Sequence, residues 1–108
     1  MPLTNPAVMT LPTAILQVIC PDRPGLVSTL SGWVAANGGN IRHADHHTDA
    51  GAGLFLSRLE WEVEGFGLPR EAIGPAALAL AERLGGEGSL RFSDGHPRVA
   101  IFVGRQDH

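Results

Sequence analysis

The sequence predicts an α+β fold in which two β-α-β halves build a four-stranded antiparallel sheet with both helices on one face. Three observations carry this reading. Apolar residues recur with a period of two over 13–20 and again over 54–64, the alternation of strands that bury one face. The period changes to that of a helix from Leu26 to Asn37 and from Ile73 to Leu84. Glycine pairs, Gly38-Gly39 and Gly85-Gly86, then close both helical runs.

The first strand, TAILQVIC, sets Leu16, Val18 and Cys20 against Ile15, Gln17 and Ile19. Its second face is more apolar than water favours, so a cover over that face is expected. In the first helix, Leu26, Leu30, Trp33, Val34 and Asn37 follow i, i+4, i+7, i+8, i+11 spacing. Asp22 is expected to cap it, with Pro24 in the first turn, where a missing N–H costs nothing. Gly38 is placed to end the helix in a left-handed conformation.

NIRHADHHTD, 40–49, reads as extended but polar, and AGAG, 50–53, as a hairpin connection. LFLSRLEWEVE, 54–64, puts Phe55, Ser57, Leu59, Trp61 and Val63 on one face and Arg58, Glu60 and Glu62 on the other. GFGLP leads into the second helix, in which Ile73, Ala77, Leu80 and Leu84 share a stripe, and Gly74-Pro75 leave its first residue open. A short strand over Ser89–Phe92 follows, then the turn-like SDGHP, then a further apolar run, RVAIFVG, at 98–104. The sheet face away from the helices must meet solvent, another domain or a second copy.

Composition narrows the function. At 108 residues with 44% hydrophobic side chains, the chain suits one globular domain. The net charge is −3 and all eight basic residues are scattered arginines, so no basic stripe offers a nucleic-acid surface. No apolar run reaches the length of a membrane span, and MPLTNPAVMT reads as a loose tail without the features of a signal peptide. The single Cys20 cannot form an internal disulfide, which fits a reducing cytoplasm.

The motifs that invite chemistry are few. The turn PDRPG, 21–25, offers free N–H groups of Gly25, Leu26 and Val27 at a helix N-terminus, where a carboxylate can be received. Binding an amino acid at about 0.1–1 mM needs roughly −4 to −5.5 kcal/mol. A helix terminus supplies only about 0.3–2 kcal/mol. The turn alone is therefore too weak and needs further contacts; its other reading is a rigid connector. Asn40 either holds the turn after Gly38-Gly39 or presents its amide to a ligand.

His43, Asp45 and His47 share a strand face at steps of about 7 Å, which leaves the outer histidines roughly 13 Å apart. Ligand bonds of about 2 Å cannot span that distance, so no metal site is expected. Those polar residues are expected on the open face or at a domain junction. Cys20, Trp33 and Trp61 fall on apolar faces and read as core. The glycines of GAG, 51–53, and GGEG, 85–88, read as turn residues, with no nucleotide-binding loop and no cofactor implied.

CPDRPGLV, then GGNI at 38–41, ADHHTD at 44–49 and LFLSRLEW together resemble an ACT domain. The Cys-Pro before Asp-Arg-Pro-Gly, and Asp-x-His-Thr-Asp on the second strand, are similar to the N-terminal ACT domain of the formyltetrahydrofolate deformylases. RVAIFVGRQDH resembles the junction where the deformylase catalytic domain begins, with Gly104-Arg105 where that family usually has Ser-Lys.

The resemblance implies a ferredoxin-like βαββαβ domain over 13–93, after a flexible tail at 1–12. Residues 94–108 would form a linker and the first strand of a truncated formyltransferase-like domain. It implies an effector site at Asp22, Arg23, Pro24, Gly25, Leu26, Asn40 and Ile41, shared between copies of a dimer, with glycine or methionine as effector. No catalytic residue is expected in this chain, because the family's catalytic Asn, His and Asp would lie beyond His108. Formyl-folate hydrolysis would belong to a catalytic domain in cis. A free-standing ACT regulator and a purely structural dimerisation module are the rival readings.

Overall fold

In the computed structural model, which describes residues 11–94, six elements follow one another. They are β1 (Thr13–Pro21), α1 (Leu26–Ala36), β2 (Ile41–Asp49), β3 (Leu54–Glu62), α2 (Arg70–Arg83) and β4 (Glu87–Phe92). The strands form one sheet in the order β2-β3-β1-β4, and every neighbouring pair is antiparallel. This is the βαββαβ arrangement that the two periodicities predict. The run at 98–104 and the tail at 1–10 lie outside the described residues.

One face of the sheet makes the core. Ala14, Leu16, Val18 and Cys20 of β1, Phe55, Leu59 and Trp61 of β3, and Leu90 and Phe92 of β4 are all buried. They pack into a single cluster with Leu26, Leu30 and Val34 of α1 and Ile73, Ala77, Leu80 and Ala81 of α2. Burying each large aliphatic side chain contributes about 1.5–3 kcal/mol, so these two helical stripes hold both helices on the same face. Trp33, Trp61 and Phe66 close one end as mutually tilted rings with centroids 5.4–5.8 Å apart. On the opposite face Ile19 and Leu56 stay exposed, whereas Ile15 is buried between its sheet neighbours Glu60 and Arg91.

Both helices stop as their glycine pairs require. In α1 the Gly38 N–H donates to Ala35 O and the Gly39 N–H to Val34 O, both at 2.9 Å. In α2 the Gly85 N–H donates to Glu82 O and the Gly86 N–H to Ala81 O, at 2.9 and 3.0 Å. These are Schellman closures, and Gly38 and Gly85 supply the positive φ, at 78° and 79°.

Three local expectations are corrected, and the open start of the second helix is located. Asp22 does not cap α1: the N-cap is Gly25, with no side-chain cap bond. Pro24 precedes that cap instead of lying in the first helical turn. The second helix begins at Arg70 and runs straight through Gly74-Pro75, because buried Ile73, Ala77 and Leu80 outweigh the lost Pro75 N–H. β4 begins at Glu87, so Gly88 is a strand residue; a Cβ there would meet the Ala81 Cβ at 2.9 Å.

Candidate functional site: the turn between β1 and α1

β1 delivers the chain to the end of the sheet where the β2–β3 hairpin also turns, since antiparallel neighbours place Pro21 opposite Leu54. The Asp22 N–H donates to Gly53 O at 2.9 Å, tying the turn to the hairpin. Arg23 reaches the other way: its Nη1 donates to Leu84 O at 3.2 Å, at the C-terminus of α2. Arg23 therefore has a structural partner, an orphan carbonyl at a negative helix end.

Gly25 adopts φ 88°, and a Cβ at that position would meet nothing within 4 Å. Its backbone angle, and not crowding, calls for glycine, and the space beside it is open. The first intrahelical bond runs from Thr29 N–H to Gly25 O at 2.9 Å. The N–H groups of Leu26, Val27 and Ser28 thus fall before the intrahelical ladder, without a side-chain cap, at the positive end of the α1 dipole.

A hollow of about 500 Å³ lies against these donors, lined by Asp22, Arg23, Gly25, Leu26, Val27 and Ser28 together with Thr48 and Phe55. Thr48 and Phe55 were not picked out from the sequence. Their mutual pairing across β2 and β3 is what brings them there, and the polar run before the hairpin was the available signal. Below the turn Cys20 is buried, and that burial raises its thiol pKa; Arg23 works against the shift and Asp22 with it. The thiol stays protonated and buried, consistent with a core residue.

Asn40 and Ile41 lie at the other end of the sheet. The Asn40 carbonyl accepts the Glu62 N–H at 3.2 Å, and Ile41 faces Trp61. Eight strand steps, about 26 Å, separate them from the hairpin end. One chain therefore brings Asp22, Arg23, Pro24, Gly25 and Leu26 together and leaves Asn40 and Ile41 apart.

A second, shallow trough of about 470 Å³ crosses the open face over Gln17, Ile19, Asp45, His47, Leu56, Arg58, Glu87 and Ser89. A bulge between Ile41 and His43 sets the register of β2, so that His43, Asp45 and His47 face Glu60, Arg58 and Leu56 on that open side. Among the described residues no three His, Cys, Asp or Glu side chains are placed to hold a metal ion. His46 points to the helix side, with Nδ1 3.1 Å from the Ser57 hydroxyl and its ring stacked on Phe55. No described helix is long and apolar enough to cross a membrane.

With this geometry in hand, the ACT domain family model matches residues 14–73. The chain belongs to the ACT domain family. It is 47% identical over 96 residues to the formyltetrahydrofolate deformylase of Synechocystis sp., covering 89% of this chain and 34% of that protein. The crystal structure of a formyltetrahydrofolate deformylase from Pseudomonas syringae superposes with a TM-score of 0.72 at 28% identity, over 78% of this chain and 28% of that one. An ACT domain protein from Streptococcus pneumoniae shares the fold, with a TM-score of 0.65 at 18% identity over 78% of this chain and 92% of that one. The similarity to deformylase ACT domains read from CPDRPGLV and ADHHTD is borne out, and so is the ferredoxin-like fold. This ACT domain spans about a third of the length of the curated relatives it matches.

Proposed function

We propose that this ACT domain is the amino-acid-sensing part of a formyltetrahydrofolate deformylase, the cytoplasmic enzyme that hydrolyses 10-formyltetrahydrofolate to formate and tetrahydrofolate. Residues 94–108 then lead into the catalytic domain, which carries the hydrolytic residues in cis. The observation that supports sensing is the uncapped N-terminus of α1, whose Leu26, Val27 and Ser28 N–H groups open onto a hollow beside Gly25.

An amino acid's carboxylate suits those donors. Its α-amino group needs acceptors that the turn's own N–H groups do not supply, and Asn40 with Ile41 of a second copy completes the set. The effector is glycine or methionine, bound between two copies of a dimer. Binding that favours one packing of the copies over another is a coupling free energy between this site and the catalytic domain, and it adjusts formate supply for purine synthesis.

Calorimetric titration of the chain with glycine, methionine and serine tests the reading. Binding of glycine or methionine at about 0.1–1 mM is expected, equivalent to roughly −4 to −5.5 kcal/mol. Absence of heat with all three, from a chain that is dimeric by light scattering, would overturn it in favour of a structural dimerisation module.

A further inference from the structure

The trough on the open face carries a chemistry that the turn does not use. Ile19 and Leu56, register partners on β1 and β3, each keep 37% of their surface exposed and form its floor. Beside that floor runs a polar row, with Asp45 of β2, Arg58 of β3 and Gln17 of β1 paired strand to strand. Beyond the row the face is filled: Glu60 accepts the Thr13 hydroxyl at 2.6 Å, and Ile15 is buried.

The row holds an acid and a base that face one another and do not close. Asp45 and Arg58 are register partners, yet no ion pair joins them. Among the described residues, the Arg58 guanidinium has Glu60 as its one charged partner, at 3.9 Å, beyond hydrogen-bond length. The Asp45 carboxylate has no partner among the described residues. Opposite charges that stand open side by side, next to apolar surface, complement a small zwitterion with an apolar tail.

We propose that this trough binds an α-amino acid with a leucine-sized apolar side chain, and that the site is complete within one copy of the chain. Arg58, with the Gln17 amide beside it, donates to the ligand's carboxylate, and Asp45 accepts from its ammonium group. Neighbouring strands lie about 4.8 Å apart, close enough for these side chains to reach both charged ends of one α-carbon. The floor residues Leu56 and Ile19 follow one strand repeat further on, about 7 Å away, within reach of a leucine side chain and out of reach of glycine. Neither the N-terminus of α1 nor a second copy takes part, so the site stands independently of the effector site at the turn. Solvent-exposed charges contribute little singly, and the expected affinity is about 1–10 mM.

Titration of the isotopically labelled whole chain with leucine tests the site. The amides of Gln17, Ile19, Asp45, Leu56 and Arg58 should shift along one saturation curve, with a midpoint that dilution of the protein leaves unchanged. The amides of Gly25, Leu26 and Asn40 read the turn site separately, so either site can fail alone. Leucinamide lacks the carboxylate, N-acetylleucine the ammonium group and glycine the side chain; each should bind by roughly fivefold or more less tightly. Arg58→Gln and Asp45→Asn, both on the open face and away from the core, should each weaken leucine binding by the same factor. Absence of open-face shifts with leucine up to about 50 mM would overturn the proposal. Blocked analogues that bind as tightly as leucine, or folded variants that bind it unchanged, would do the same. So would open-face amides that move on protein dilution without leucine, because a second copy would then cover the trough.

Discussion

Gly86 and Gly25 are glycines for different physical reasons, and the difference is measurable. A Cβ on Gly86 would run into the Ile19 carbonyl and come within 2.5 Å of the Cys20 Cβ, where α2 ends against β1. Gly86→Ala should therefore destabilise the fold by about 2–3 kcal/mol, as overpacking does. That corresponds to a fall in melting temperature of roughly 10 °C or more. Around Gly25 the space is empty, so Gly25→Ala should lose only the left-handed backbone term, about 1–2 kcal/mol. Cys20, packed against Gly86, gives a pH signature. Burial holds its thiol pKa above the unfolded value, so the folded chain keeps the proton longer. The contribution is complete below the unfolded thiol pKa, near 8.5, and is lost as pH rises from there through the folded value. Thermal melts between pH 8 and 10 should fall more steeply for the wild type than for Cys20→Ala.

At the scale of elements, β1, β3 and the α1 stripe were legible because a buried face imprints its period on the chain. Leu26, Leu30 and Val34 are buried as their spacing requires, and Phe55, Ser57, Leu59 and Trp61 alternate as read. The start of α2 was not legible, since Gly74-Pro75 argue locally for a break that burial of Ile73 and Ala77 overrides. Nor was the clamp at that start. Arg70 donates to both carboxylate oxygens of Asp94, at 2.7 and 2.6 Å, and its guanidinium lies 4.2 Å over the Phe92 ring. The groups are 24 residues apart in sequence, and only the α2–β4 packing joins them. Arg70→Ala should lower stability by about 1 kcal/mol in chemical denaturation, and Arg70→Lys should recover only part of it, because an ammonium can reach the Asp94 carboxylate but cannot stack a planar group on the Phe92 ring.

For the whole molecule, the site was half legible. PDRPG announces a turn that must be rigid, and Gly25 and Leu26 do stand at open N–H groups. Thr48 and Phe55 join it only through the β2–β3 register, which no local pattern reveals. Asn40 presents the larger problem, because in one chain it sits at the far end of the sheet. The proposed effector site resolves it by taking Asn40 and Ile41 from a second copy. In the proposed effector site the two ends of the sheet thus meet across two copies. Amide chemical shifts of the labelled chain, followed while methionine or glycine is added, test this most directly. The amides of Gly25, Leu26 and Val27 should move together with those of Asn40 and Ile41, along one saturation curve. Shifts confined to the turn, or no shifts at either end, would contradict it.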